Sequence, residues 1–287
     1  MRQDRVLVNL DLKLLIGDNM ELNKDYCQIN FSAIYNSNPN GLGATRASLL
    51  RLLRSLDLVG WNSYEESGRL DRKAFTRFAT GSNAVFSKRT YVEAEKSAVS
   101  ILIDCSGSMD VDGRIQCAEV VTIQLAKILD KANVDFQVNG FFGDTFRNKV
   151  EATGATTSDT LFRQEYPTFV PFKTWGESVQ KASAKLGSIR HWAQSSTPDY
   201  SSIAITIEEL AKRPESRRIL FLVTDAGGYE QSHMKHLQKL ADKLGVKIIA
   251  IGIGNTEVKQ CFKASEDVVN LDGLASASFN KLLKELR

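Results

Sequence analysis

Apolar and polar positions along this chain change rhythm near residue 95. Beyond that point short apolar runs alternate with amphipathic stretches. Residues 98–104 (AVSILID) form an apolar run that closes on a carboxylate, which predicts a buried strand. Ile115, Ala118, Val121, Leu125 and Leu129 share one stripe of a helix predicted over 114–132. Strands follow at 134–142, 219–224 (ILFLVT), 246–253 (VKIIAIGI) and 268–271. Helices are expected near 176–190, 201–212, 232–244 and 274–286. Polar residues dominate 143–175, where a long irregular excursion is expected.

Before residue 95 the pattern is patchier. Residues 36–43 (NSNPNGLG) read as a loop, and 44–59 (ATRASLLRLLRSLDLV) as a helix with a basic face. A second helix is expected from about 70 to 78, and 80–96 reads as extended and polar. The expected division is an N-terminal, partly helical region over 1–95 and a larger domain over 96–287. Buried strands alternating with amphipathic helices specify the α/β class: a doubly wound, mostly parallel sheet with helices on both faces. In such sheets ligands sit at the carboxyl ends of the strands, near a switch in strand order. Two predicted strands run directly into Asp104 and Asp225.

Composition narrows the function classes. A net charge of +3 is too small to argue for nucleic acid. No apolar run reaches the ~18 residues a membrane helix needs. The opening run MRQDRVLVNLDLK is charged and has no signal-peptide h-region, so the expectation is a cytoplasmic protein. Cys27, Cys105, Cys117 and Cys261 form no CxxC pair and read as reduced thiols. No Gly-Lys dipeptide occurs, so a P-loop is absent and any ATP hydrolysis belongs to another chain.

The chemistry concentrates at 104–108, Asp-Cys-Ser-Gly-Ser. On a chain leaving a strand, Asp104, Ser106 and Ser108 can aim three oxygens at one point, with Gly107 turning the backbone between them. One carboxylate and two hydroxyls are hard donors that suit Mg²⁺ and tolerate Mn²⁺ or Ca²⁺. Thr197, in the loop Ser195-Ser196-Thr197-Pro198-Asp199, offers a further hydroxyl, and Asp225 can hold a coordinated water. Asp199 could replace Thr197. Alternation turns Cys105 away from these oxygens. His233 and His236 read as a solvated helix face, as does the stripe Arg46, Arg51 and Arg54.

The runs ILIDCSGSM and RRILFLVTDAGG resemble the first and last motifs of von Willebrand factor A (VWA) domains. More closely, GRLDRKAFTRF, RPESRRILFLVTDAG and KIIAIGIGNTEV resemble the T subunit family of the aerobic cobalt chelatase, CobT. The resemblance implies a Rossmann-like VWA fold. It also implies a metal-ion-dependent adhesion site of Asp104, Ser106, Ser108, Thr197 and Asp225. It implies a partner as well: a hexameric AAA+ ATPase of the MoxR or CobS type, met through an acidic side chain at the metal. The setting would be a bacterial cell or a phage-infected host, where shortened versions accompany a CobS-like ATPase. Catalysis by this chain alone is not expected. The alternative is direct participation in cobalt insertion into a corrin ring, in cobalamin biosynthesis.

Overall fold

A computed structural model describes residues 6–7, 23–37, 60–90, 96–143, 167–194, 196–226, 229–254 and 258–268. The dominant element is a seven-stranded sheet. Its strands are β1 (Val6–Leu7), β5 (Ser97–Asp104), β6 (Asp135–Gly143), β7 (Pro167–Lys173), β8 (Arg217–Thr224), β9 (Val246–Ile253) and β10 (Ser265–Val268). The spatial order is β1-β7-β6-β5-β8-β9-β10. Strands β6, β5, β8, β9 and β10 run parallel, β7 runs against β6, and β1 is parallel to β7. After β5 the chain builds outward through β6 and β7, then returns to lay β8 on the other side of β5. The switch in strand order therefore falls between β5 and β8.

All eight residues of β5 are buried. Its pleat sends Val99, Ile101 and Ile103 to one side and Ala98 and Leu102 to the other. The first side is covered by α1 (Lys24–Asn36), α3 (Arg114–Lys131) and the short α4 (Ser183–Leu186). The second is covered by α5 (Asp199–Ala211), α6 (Gln231–Leu244) and α7 (Val258–Cys261). Helices on both faces agree with the expected doubly wound class. Residues 60–90 fold separately into a three-stranded antiparallel sheet, ordered β2-β4-β3, from β2 (Gly60–Glu65), β3 (Arg69–Leu70) and β4 (Phe86–Thr90). A 3₁₀ turn and the one-turn α2 (Phe75–Phe78) lie between β3 and β4, within the helix expected there.

Several expectations need correction. Residues 167–173 are a strand, although they lie in the stretch expected to be irregular. Polar residues dominate the stretch as a whole, yet Phe169, Val170 and Phe172 within it are buried in the pleat. Residues 176–190 form turns, the four-residue α4 and a 3₁₀ turn rather than one helix. A strand covers 265–268, and all but the first residue of the strand expected over 268–271 lies outside the described residues. The helix expected over 44–59, most of the loop over 36–43 and the helix over 274–286 lie outside the described residues.

Helix α1 was not anticipated. Asn23 caps it by accepting from the Asp25 and Tyr26 N–H groups at 3.0 and 3.2 Å, a contact that contributes about 1 kcal/mol. Cys27 and Phe31 are its buried residues, and Phe31 contributes roughly 2 kcal/mol by leaving water. The seam is locked by Glu119 of α3, which has no solvent exposure. Glu119 accepts from Arg190 Nε at 2.7 Å and from Asn30 Nδ2 of α1 at 3.1 Å. Arg190 also donates to Asn30 Oδ1 at 2.8 Å, closing the triangle.

Candidate functional site

The carboxyl ends of β5 and β8 meet at the switch point, and there the sheet stops burying apolar side chains and buries a carboxylate. Asp104, the last residue of β5, is fully buried. Its Oδ1 accepts the Ser106 N–H at 3.0 Å. Its Oδ2 accepts the Thr224 hydroxyl at 2.7 Å and the Tyr229 hydroxyl at 3.2 Å. Every one of these donors is neutral. Burial pushes the Asp104 carboxyl up to about 6, against the hydrogen bonds from Ser106 and Thr224 and helped by the charge of Asp225.

Ser106 and Ser108 follow with their hydroxyls 3.0 Å apart. The intervening Gly107 is exposed, as an outward turn between two inward side chains requires. Cys105 faces the opposite way: its sulfur lies in the α3-side core, where a Cβ on Gly140 would come within 2.8 Å of it. The expected alternation holds. Burial raises the Cys105 thiol far above its usual range, so it is an inert apolar filler.

Asp225 comes directly after β8 and is 1% exposed. Its Oδ2 accepts from Arg114 Nη1 at 2.8 Å. The two strands thus deliver Asp104 and Asp225 to the same edge. Thr224 ties Asp104 to the turn after β8: its Oγ1 donates to Asp104 and accepts the Ala226 N–H at 2.8 Å.

Thr197 reaches this edge through its loop. The Gln194 N–H donates to the Cys105 carbonyl at 2.8 Å, and the Gly143 N–H to the Ser196 carbonyl at 2.8 Å. The loop is therefore stitched to the ends of both β5 and β6. A side chain at 143 would have to push Ser196 aside, because a Cβ there would lie 1.9 Å from Ser196 Oγ. Thr197 is half-buried, and among the described residues its hydroxyl takes no part in the hydrogen bonds of the Asp104 cluster. Asp199, the first residue of α5, bonds its own neighbour Tyr200 N–H at 2.7 Å. Its charge still acts on the site. Burial first, then the charges of Asp104, Asp199 and Asp225, raise the Tyr229 hydroxyl well above the ordinary phenol range.

Sequence reading missed three participants: Thr224 as a hydroxyl donor to Asp104, Tyr229 as a second, and Arg114 as a partner of Asp225. The apolar run of β8 places Thr224; nothing in the spacing of Arg114 or Tyr229 marks them. The histidine pair lies elsewhere, on α6. His233 Nε2 is 3.5 Å from Glu230 Oε2, His236 is exposed, and both rings pack near Tyr200. Among the described residues no group of three or more His, Cys, Asp or Glu could hold a metal. The Asp104 cluster is a different donor set, built from hydroxyls beside two carboxylates.

The family model described as "Cobalamin biosynthesis protein CobT VWA domain" matches residues 85–286, most of the chain. This chain belongs to the CobT VWA domain family. Solved structures with a similar fold include the pilus adhesin SpaC from Lactobacillus rhamnosus GG in its open conformation. It is 13% identical with a TM-score of 0.47, and the alignment covers 68% of this chain but only 30% of the adhesin. The conserved hypothetical protein BatB from Bacteroides thetaiotaomicron is 15% identical with a TM-score of 0.46, over 66% of this chain and 98% of BatB. A von Willebrand factor type A protein from Catenulispora acidiphila is 16% identical with a TM-score of 0.39, over 70% and 44% of the two chains. At such identities and scores the likenesses say nothing about activity or ligand. No curated protein matches the chain. No helix among the described residues is long and apolar enough to cross a membrane.

Proposed function

We propose that this CobT-family chain is a cation-dependent interaction subunit. Asp104, Ser106 and Ser108 would hold a divalent cation, Mg²⁺ first and Mn²⁺ or Ca²⁺ as substitutes, with Thr197 and Asp225 completing the site. One observation carries the reading. Asp104 is a fully buried carboxylate at the switch point, held among the described residues only by neutral donors. Two linked hydroxyls stand just after it, and a second buried carboxylate closes the neighbouring strand. A buried charge held only by dipoles is costly, and a hard cation offsets that cost. The donor chemistry fits magnesium: oxygen only, with few formal charges.

A bound dication supplies an electrophilic centre at which a partner's carboxylate can be accepted. The chain's own residues do the remaining work. Thr224 and Tyr229 fix the Asp104 carboxylate through hydrogen bonds, and the Gly143–Ser196 contact pins the loop that carries Thr197. The partner we favour is an AAA+ ATPase of the CobS or MoxR type, offering an acidic side chain. It would supply the nucleotide chemistry for which this sequence has no Gly-Lys motif. The test is a pull-down with a CobS-like ATPase in magnesium and in EDTA. Capture that needs magnesium and is lost in Asp104→Ala is expected; equal capture by wild type and variant in both buffers refutes the reading.

The family description favours a second reading, a direct role in cobalt insertion during cobalamin synthesis. A reconstituted insertion assay separates the two. An insertion rate that is the same with and without this chain removes the second.

A further inference from the structure

The proposed cation site contains a positive charge of its own. Arg114 is the first residue of α3, entered through Asp112 and Gly113, whose φ angles are 53° and 70°. That turn brings its side chain back over the carboxyl edge of the sheet. Nη1 donates to Asp225 Oδ2 at 2.8 Å. The rest of the side chain lies along the end of β9, where a Cβ on Gly254 would sit 3.5 Å from Nε and 3.7 Å from Cγ. The guanidinium therefore lies against Gly254 and is held by a carboxylate that is 1% exposed, with a quarter of the Arg114 side chain exposed.

We infer that Arg114 is a built-in counter-charge that sets how tightly the site takes a dication. The inference rests on the cation reading above and deepens it. Any dication that draws on Asp225 must share that carboxylate with a guanidinium already bonded to it, and like charges a few ångströms apart repel. Among the described residues Asp104 has no such competitor, because its donors there are neutral. The two carboxylates thus play unequal parts. Asp104 is free to attract the cation in full, whereas Arg114 discounts Asp225. The outcome is a site tuned to weak, reversible occupancy, which suits a contact that must be made and broken.

The experiment titrates Mn²⁺ into the full chain, following free Mn²⁺ by electron paramagnetic resonance, with Mg²⁺ as competitor. Wild type, Arg114→Gln, Arg114→Lys and Asp104→Ala are compared. Removing the charge should tighten binding by roughly tenfold or more, the scale expected for a like charge at this range. Lysine keeps the charge and should stay near wild type. Thermal melts supply the second readout. Without added metal Arg114→Gln should melt below wild type, because Asp225 loses its ion pair with Arg114, and saturating Mg²⁺ should close the gap. A melting gap that is the same with and without Mg²⁺ shows Arg114 to be merely structural and overturns the inference. So does Mn²⁺ binding by Arg114→Gln that is equal to or weaker than wild type, while the cation reading survives. Equal Mn²⁺ binding by Asp104→Ala and wild type, or none by wild type and Arg114→Gln alike, removes the cation reading and this inference with it.

Discussion

Among the described residues two carboxylates, Glu119 and Asp104, have no solvent exposure at all, and they are satisfied in opposite ways. Glu119, in the seam between α1 and α3, faces a guanidinium and an amide, and its partners also bond each other. Asp104, at the end of β5, faces one N–H and two hydroxyls. A buried charge that is fully paired holds structure together, and removing one partner is expensive. A buried charge that meets only dipoles remains unbalanced, and that imbalance attracts a cation. The contrast separates a fastening from a site better than burial does, since both groups have 0% exposure.

The largest expected effect breaks the fastening. Glu119→Ala should cost about 3 kcal/mol, because the half-buried Arg190 loses its carboxylate and the Asn30 amide loses its acceptor. Chemical denaturation measures this, and the magnesium response of the folded fraction should be unchanged; a loss of that response would merge the two roles. Next comes Asp104→Asn. Without metal its stability should stay within about 1 kcal/mol of wild type. It should lose the cation-dependent gain, about 2.7 kcal/mol with Mg²⁺ 100-fold above its dissociation constant. An identical Mg²⁺ shift in both proteins would deny that Asp104 is a ligand. Gly143→Ala should cost about 2 kcal/mol, since its new methyl must displace Ser196 Oγ. The same variant should blunt the Mg²⁺ shift if Thr197 belongs to the site, and an unblunted shift would point to Asp199 instead.

The smallest effect is a slope with pH. Burial, then the charge of Arg190, hold His191 below its usual value of 6.5. Between the folded and unfolded values the native state binds fewer protons than the unfolded chain. The contribution is therefore whole above pH 6.5 and is lost as pH falls through the folded value. His191→Gln should flatten the decline of the melting temperature on acidification, and a decline of unchanged steepness would assign it to other groups.

How much of this was readable from sequence follows from what each element depends on. Strand β5 was legible because a parallel central strand is apolar on both faces. Strand β7 was not, since its short apolar run sits in a stretch dominated by polar residues and is fixed by pairing with β6 and β1. Helix α1 was obscure because just Cys27 and Phe31 of its 13 residues are buried, too few for a clear period. Asp104, Ser106 and Ser108 announce themselves by spacing within one loop. Arg114 acquires its meaning only once β5 and β8 are known to be neighbours, which is a fact of topology and not of local pattern.

The seam at α1 also decides where this polypeptide can be cut. The family match begins at residue 85, yet strand β1 and helix α1 lie ahead of it and are built into the same sheet domain. A fragment trimmed to the family boundary would bare the flank of β7 and the bed of Phe31. It would also strip the Asn30 amide from Glu119. Such a fragment should be sticky and poorly soluble, whereas one that keeps the first helix should not.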